Sequence, residues 1–157
     1  MEIERKWLMP APPEGYPVLE RAVLRQGYLS TKPTVRIRSK EKDGETGYRL
    51  CIKGKGTLAR EEIEFDIPRE KFLALERLLP HPLVRKDYTV YALPGGYRLE
   101  YNIVDAGAPT SFTYAEVEFP SIEAAKAFVP PCDFGREVTE EPGYTMGAYW
   151  DALLKNA

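Results

Sequence analysis

Most of this 157-residue chain alternates apolar and polar residues with a period of two, and the polar phase consists almost entirely of charged side chains. Near the N-terminus, Glu2, Glu4 and Lys6 fall on one face, whereas Ile3 and Trp7 fall on the other. A period of two is typical of β-strands, in which successive side chains point to opposite faces. The pattern therefore predicts a protein built mainly from strands that share one heavily charged face.

Eight segments show this alternation, and mostly short turns separate them. They are Glu2–Leu8, Leu19–Ser30, Thr34–Lys40, Gly47–Lys53, Ala59–Ile67, Val84–Leu93, Tyr97–Ile103 and Ser111–Phe119. Their spacing predicts an antiparallel sheet that curls into an eight-stranded barrel. Helical spacing and capping residues predict outer helices over Pro68–Leu79, Ser121–Val129 and Thr145–Lys155. We therefore expect a single α+β domain over residues 1–157.

The overall composition excludes several classes of protein. The chain has 22 Lys and Arg against 24 Asp and Glu, so its net charge of −2 provides no basic field for nucleic acid. No apolar run approaches the roughly 20 residues that a membrane span requires, so no membrane partner is expected. Two cysteines suit a reducing compartment, and we expect a cytoplasmic location.

If the sheet closes into a barrel, its charged phase can point in two directions. It can face water around an apolar core, or it can face inward and line a wet tunnel. The phase carries seven acids and eight bases, namely Glu2, Glu4, Glu62, Glu64, Glu100, Glu116, Glu118, Lys6, Arg36, Arg38, Arg49, Lys53, Lys55, Arg60 and Arg98. A strand face that meets water usually mixes in serine and threonine, whereas this phase favours arginine and glutamate. We therefore favour the inward orientation and a charged interior.

The spacing of like charges points to a ligand of opposite charge. Three strands carry two glutamates at positions i and i+2, which places their carboxylates on one face about 7 Å apart, within reach of a shared divalent cation. Arg36 and Arg38 have the same spacing, and paired guanidinium groups can hold phosphate oxygens. A metal ion bound together with a polyphosphate would satisfy both sets of charges.

A series of short motifs spans nearly the whole chain. In order they are Glu2-Ile-Glu-Arg-Lys6, Arg25-Gln-Gly-Tyr-Leu-Ser30, Val35-Arg-Ile-Arg38, Leu50-Cys-Ile-Lys-Gly54, Arg60-Glu-Glu-Ile-Glu64, Ala115-Glu-Val-Glu118 and Gly135-Arg-Glu-Val-Thr139. This ordered set resembles the CYTH, or triphosphate tunnel metalloenzyme, superfamily, and in particular its short bacterial inorganic triphosphatases. The resemblance implies an eight-stranded tunnel and chemistry on a linear triphosphate with Mg²⁺ or Mn²⁺.

The resemblance also assigns roles to individual residues. The implied metal-binding residues are Glu2, Glu4, Glu116 and Glu118, with Glu62, Glu64 and Glu100 as further candidates. The implied phosphate-binding residues are Lys6, Arg36, Arg38, Lys53 and Lys86, with Arg60 and Arg136 in support. Lys55 and Arg98 are further candidates for phosphate binding because they share the charged phase. For the pair Glu62 and Glu64, both metal contact and orientation of the bases stay open. Glu4 or Glu118 is expected to accept a proton, and Lys6 is a third candidate catalytic residue.

Three positions depart from the family pattern. Tyr88 stands where the family usually has an arginine, and Asn102 stands where it often has an aspartate. Met146 replaces the asparagine of a common Tyr-Ser-Asn sequence. Each change removes one contact to phosphate, metal or water, so rate and substrate choice are expected to differ from the family norm.

These observations lead to one main functional hypothesis and two alternatives. The main hypothesis is a metal-dependent hydrolase of linear triphosphates, with tripolyphosphate and nucleoside triphosphates as candidate substrates. One alternative is a class IV-type adenylyl cyclase, and the other is a non-catalytic module that binds triphosphate or polyphosphate. The resemblance also makes a homodimer a candidate assembly.

Overall fold

The computed structural model describes residues 1–156, and within them it contains nine strands that form one antiparallel sheet. The strands are β1 (Glu2–Leu8), β2 (Val18–Thr31), β3 (Thr34–Lys42), β4 (Glu45–Lys53), β5 (Ala59–Arg60), β6 (Glu62–Asp66), β7 (Val84–Ala92), β8 (Arg98–Val104) and β9 (Phe112–Glu118). Their order in the sheet is β5-β1-β9-β8-β7-β2-β3-β4-β6. The predicted antiparallel barrel is thereby confirmed, although the number of strands differs.

The additional strand arises because the predicted segment Ala59–Ile67 is interrupted at Glu61. Its first part, β5, pairs with β1, and its second part, β6, pairs with β4. One continuous segment therefore joins the two ends of the sheet and nearly closes the barrel. The interruption itself is held in place because the amide of Gly54 donates to the carbonyl oxygen of Glu61 at 2.9 Å.

Three helices lie outside the strands: α1 (Arg69–Glu76), α2 (Ile122–Ala127) and α3 (Met146–Lys155). Ser121 and Thr145 cap α2 and α3 with side-chain oxygens that accept hydrogen bonds from backbone amides. Short 3₁₀ turns cover Pro94–Gly96 and Pro142–Tyr144. Among the described residues, none of the helices has the length and apolar character needed to span a membrane.

The apolar phase of β1, β8 and β9 forms a core on the outside of the barrel. Trp7, Leu99 and Val117 are each at most 1% exposed there, and Ala125 of α2 belongs to the same cluster. Burial of large apolar side chains is the main favourable contribution to folding. Because this outer face is the one that the helix covers, the alternate face, which carries the charges, points into the barrel.

The third helix packs against a glycine on β2. A Cβ atom added at Gly27 would lie 2.5 Å from Leu79 Cδ1 and 3.1 Å from the ring of Trp150, so no larger residue fits without displacing them. Trp150 is itself buried and lies 5.9 Å from the ring of Tyr28, measured between centroids. This contact fixes α3 beside one end of the barrel, where its first residues reach the interior.

Candidate active site

The charged phase of the strands lines a cavity of about 670 Å³ inside the barrel, which we call the bore. All seven predicted acids and six of the nine predicted phosphate-binding residues line it. The acids are Glu2, Glu4, Glu62, Glu64, Glu100, Glu116 and Glu118, and the bases are Lys6, Arg36, Arg38, Lys53, Arg60 and Lys86. The inward orientation favoured by the sequence is therefore confirmed.

One side of the bore, the acidic wall, consists of Glu2, Glu4, Glu100, Glu116 and Glu118 on the adjacent strands β1, β9 and β8. The strand register places Glu4 opposite Glu118, and Glu100 opposite Glu116. Carboxylate oxygens of Glu2, Glu4 and Glu118 lie within 4.8 Å of one another. Mg²⁺ and Mn²⁺ prefer oxygen ligands, so this donor set fits the predicted cation.

The carboxyl groups of the acidic wall have strongly perturbed pKa values. Burial raises the pKa of Glu4 well above its ordinary value, and the adjacent Glu116 raises it further. Burial and neighbouring carboxylates raise the pKa of Glu118 to about 7. Burial would also raise the pKa of Glu116, but its hydrogen bond with Glu4 and the charges of Lys6 and Lys86 bring it down to about 2. A bound cation would relieve the repulsion on this wall.

Facing it is a basic wall, which β3 and β4 supply through Arg36, Arg38 and Lys53 and which β7 extends with Lys86. Glu64 lies among its arginines: Arg36 Nη2 donates to Glu64 Oε2 at 3.4 Å, and Arg38 Nη2 lies 3.9 Å from the same oxygen. Arg49 Nη1 donates to the other oxygen, Oε1, at 2.8 Å.

These contacts bear on the role of Glu64, which the sequence left open. A carboxylate shared by three guanidinium groups has little charge left to attract a cation, although Cys51, Glu62 and Glu64 also offer atoms within 4.8 Å of one another. Orientation of the bases is therefore the role that the contacts of Glu64 favour.

Lys53 connects the two walls where the sheet closes. Its Nζ atom donates to both oxygens of Glu2, at 2.8 and 3.1 Å, and lies 3.6 Å from Glu62 Oε2. Burial lowers the pKa of Lys53, but the carboxylates of Glu4 and Glu2 outweigh this effect and the pKa is raised. Lys53 therefore stays protonated at neutral pH and holds β4 beside β1.

Lys6 and Lys86 lie deep in the bore and, like Lys32 and Arg60 on its lining, form no ion pair within residues 1–156. Lys6 Nζ donates to the carbonyl oxygen of Tyr144 at 2.6 Å and lies 4.1 Å from the ring centroid of Tyr114. Lys86 Nζ donates to the Tyr114 hydroxyl at 3.0 Å. Burial lowers the pKa of both lysines, so an anion placed between them would favour their charged forms.

Three of the predicted phosphate-binding residues do not reach the bore. Lys55 is exposed in the loop after β4, and Arg136 is exposed with its Nη1 atom 2.6 Å from Glu141. Arg98 lines a second cavity that shares Glu100 and Glu118 with the bore, and its Nη2 atom lies 3.5 Å from Glu20. Direct phosphate contact by these three residues therefore has no support in the geometry.

Several polar residues of the bore were not singled out from the sequence. Tyr28 and Tyr114 line it together with Tyr88, whose hydroxyl donates to Glu100 Oε1 at 2.6 Å. Gln26 is fully buried beside them, and its Nε2 atom donates to the Tyr28 hydroxyl at 3.1 Å. For Tyr114 and Tyr88 the available signal was their phase, because they share a strand face with Glu116 and Lys86. For Tyr28 and Gln26 the sequence carried no such signal, because β2 contributes no charged residue to the bore.

The three departures from the family pattern all line the bore. Tyr88 on β7 and Asn102 on β8 are direct partners in the strand register. Asn102 is only 2% exposed, and its Nδ2 atom donates to the carbonyl oxygen of Glu100 at 3.3 Å. Met146 is the first residue of α3 and is buried. Each altered residue therefore faces the position where a ligand would lie.

The barrel is nearly closed, and its bore has an acidic wall on one side and a basic wall on the other. These features define a class of tunnel proteins that can hold an anion together with a cation. The chain is 39% identical to the inorganic triphosphatase of Nitrosomonas europaea over 143 aligned residues. This alignment covers 91% of this chain and 92% of that protein. The crystal structure of the inorganic triphosphatase NE1496 is similar with a TM-score of 0.66 at 33% identity, covering 95% of this chain and 93% of that one. The chain belongs to the CYTH, or triphosphate tunnel metalloenzyme, superfamily.

More distant structures share the fold. A putative adenylyl cyclase from Hippeastrum, described as having a dominant triphosphatase activity, is similar with a TM-score of 0.60 at 17% identity, covering 80% of this chain and 83% of that one. At this identity the likeness concerns the architecture alone. No family model matches the chain.

Proposed function

We propose that this protein is an inorganic triphosphatase, which hydrolyses linear triphosphates and releases phosphate. The observation that carries the proposal is the bore itself, where clustered carboxylates face Arg36, Arg38, Lys53 and Lys86 across one cavity. A linear triphosphate carries several negative charges along its length, and Arg and Lys side chains hold phosphate oxygens well. The 39% identity to an inorganic triphosphatase supports the same conclusion.

We further propose that the acidic wall holds Mg²⁺ or Mn²⁺. The carboxylate oxygens of Glu2, Glu4 and Glu118 are close enough to share a cation, with Glu100 and Glu116 beside them. When bound, such an ion supplies charge neutralisation at phosphate oxygens and lowers the pKa of a water molecule. Glu62 and Glu64 belong to the basic side in this scheme, where they orient Lys53 and the arginines.

The remaining chemistry can be assigned to residues of this chain. Phosphoryl transfer depends mainly on positioning and on neutralising charge. Arg36, Arg38 and Lys86 would grip the phosphates, and Lys6 would stabilise charge at the reacting one. Glu118 is the preferred proton acceptor because it is exposed and lies on a strand face that lines the bore. Glu4, the other candidate, is more deeply buried.

The test is release of phosphate from tripolyphosphate, ATP and thiamine triphosphate, each with and without Mg²⁺ or Mn²⁺. We expect metal-dependent release from tripolyphosphate, and a loss of at least about tenfold in Glu4→Ala and Glu118→Ala, as for other changes at metal sites. Glu123→Ala, which alters an exposed glutamate on α2, is the matched control and should retain full activity.

Other outcomes would support the alternatives. Formation of 3′,5′-cyclic AMP from ATP would identify an adenylyl cyclase. Tight tripolyphosphate binding in calorimetry without turnover would identify a binding module. Full activity in both Glu4→Ala and Glu118→Ala would refute the assignment of the acidic wall.

The domain organisation, location, partners and assembly of the protein are further predictions. We propose that residues 1–157 act as one tunnel domain in the cytoplasm with a small-molecule substrate and without nucleic acid or membrane partners. The net charge of −2 and the composition support this view. A homodimer is the candidate assembly from the family resemblance, and size-exclusion chromatography with light scattering would test it.

A further inference from the structure

Tyr88 makes a short polar contact with the acidic wall. Its hydroxyl donates to Glu100 Oε1 at 2.6 Å, which is a strong hydrogen bond to a carboxylate. Glu100 lines both the bore and the second cavity beside Arg98, so it stands where the two cavities meet. One of its two oxygens is therefore held, and the orientation of the other is set by the same bond.

The surroundings of Tyr88 hold its ring in place. In the strand register it lies opposite Ala22 on β2 and opposite Asn102 on β8. The small side chain of Ala22 leaves room for the ring, and Lys40 Nζ lies 5.4 Å from the ring centroid. A rigid phenol at a defined position is suited to orienting a neighbouring carboxylate.

The family pattern would place an arginine at position 88 and an aspartate at position 102, and these two positions face each other. Replacing both removes one positive and one negative charge from neighbouring sites, so the net charge of the bore is preserved. Among the described residues, Asn102 Oδ1 is buried without a hydrogen-bond partner, so the amide does not substitute for the lost carboxylate in binding Tyr88. The tyrosine hydroxyl is consequently directed to Glu100.

We propose that Tyr88 is a positioning residue, which fixes Glu100 so that its free oxygen is presented to the cation of the acidic wall. This inference rests on the proposed function, because it assumes that the acidic wall binds a divalent cation. It differs from the roles assigned above in that Tyr88 acts through Glu100 and not on the cation or the phosphate. The departures from the family pattern at positions 88 and 102 then belong together, because the loss of a positive charge at one offsets the loss of a negative charge at the other.

The experiment compares Tyr88→Phe with Tyr91→Phe. Both remove one hydroxyl from β7, but Tyr91 lies on the outer phase, where its ring packs against Tyr101 at 6.4 Å between centroids. Calorimetry with Mn²⁺ in the absence of phosphate measures cation binding alone, and kinetics with tripolyphosphate give kcat and KM separately. We expect Tyr88→Phe to weaken Mn²⁺ binding and to lower kcat by about tenfold or more, with KM for tripolyphosphate changed less than about twofold. Tyr91→Phe should match the wild type.

A double-mutant cycle with Glu100→Gln tests whether Tyr88 acts through Glu100. If it does, adding Tyr88→Phe to Glu100→Gln costs no further Mn²⁺ affinity. Wild-type Mn²⁺ affinity in Tyr88→Phe, or additive effects in the double variant, would overturn this inference while leaving the triphosphatase proposal in place. A wild-type protein that neither binds Mn²⁺ nor hydrolyses tripolyphosphate would overturn both.

Discussion

Replacing Lys53 by methionine should destabilise the protein strongly, because Lys53 lies in a buried ion pair where the barrel closes. Its Nζ atom is 2.8 Å from Glu2 Oε1, and only 11% of the Lys53 side chain and 9% of the Glu2 side chain are exposed. Glu62 Oε2 lies 3.6 Å away on the strand next to β4. Without Lys53, both carboxylates would be left in the bore without this compensating charge.

The size of the effect follows from the distance and the burial. At an effective dielectric constant of about 20, unit charges separated by this distance attract each other by about 6 kcal/mol before desolvation is counted. Removing one partner of a buried pair costs about 3–5 kcal/mol, whereas an exposed pair contributes about 0–1 kcal/mol. We therefore expect Lys53→Met to lower the free energy of unfolding by about 3–5 kcal/mol.

Urea unfolding of the metal-free and phosphate-free protein measures this change. With a denaturant slope of about 2 kcal/mol/M, the midpoint should fall by about 1.5–2.5 M. The matched control is Lys42→Met, because Lys42 Nζ lies 3.5 Å from Glu20 Oε2 but 42% of its side chain is exposed. The control should lose less than about 1 kcal/mol.

A second arm adds Glu2→Gln to form a double-mutant cycle. The double variant should be more stable than the sum of the two single losses predicts, because each single change leaves a buried charge without its partner. A loss in Lys53→Met as small as that in Lys42→Met, or strictly additive losses, would refute the reasoning. Either result would mean that the pair behaves as a surface pair and that the charges do not lie in a buried bore.

Two further predictions concern single carboxylates. The pKa of Glu118 is raised to about 7 from an ordinary 4.5, so the folded protein holds a proton that the unfolded chain releases. The melting temperature of the metal-free protein should therefore fall between about pH 5 and pH 8, and calorimetry should find a shallower fall in Glu118→Gln. An equal fall in both proteins would contradict this. Glu64→Gln should leave Mn²⁺ affinity, measured by calorimetry without phosphate, within about twofold of the wild type, whereas a tenfold loss would make Glu64 a metal ligand.

The faces of the strands could be predicted from the sequence because a period of two fixes which residues share a face. Arg36 and Arg38 lie together in the bore for this reason, as do Glu116 and Glu118. The choice between an inward and an outward orientation required the whole set of charged residues. The ordered motifs of the family then supplied the expected ligand, which no single strand could have indicated.

Contacts between strands were harder to predict because alternation within one strand does not fix its register against another. The pairing of Glu64 with arginines depends on β3, β4 and β6 lying side by side. In the sequence, Tyr88 looks like the tyrosines Tyr91 and Tyr101, which pack in the outer core. Only its position two residues after Lys86, on the same strand face, indicates that it points into the bore. Lys55 was misplaced because the alternation was extended into a loop beyond the end of β4.

The most direct test of the central claim is a crystal structure of the wild-type protein with Mn²⁺ and tripolyphosphate, in which anomalous scattering locates the metal. The account predicts a manganese peak within coordination distance of Glu2, Glu4 and Glu118, and phosphate groups against Arg36, Arg38 and Lys86. A manganese peak beside Glu62 and Glu64, or tripolyphosphate bound on the outside of the barrel, would contradict it.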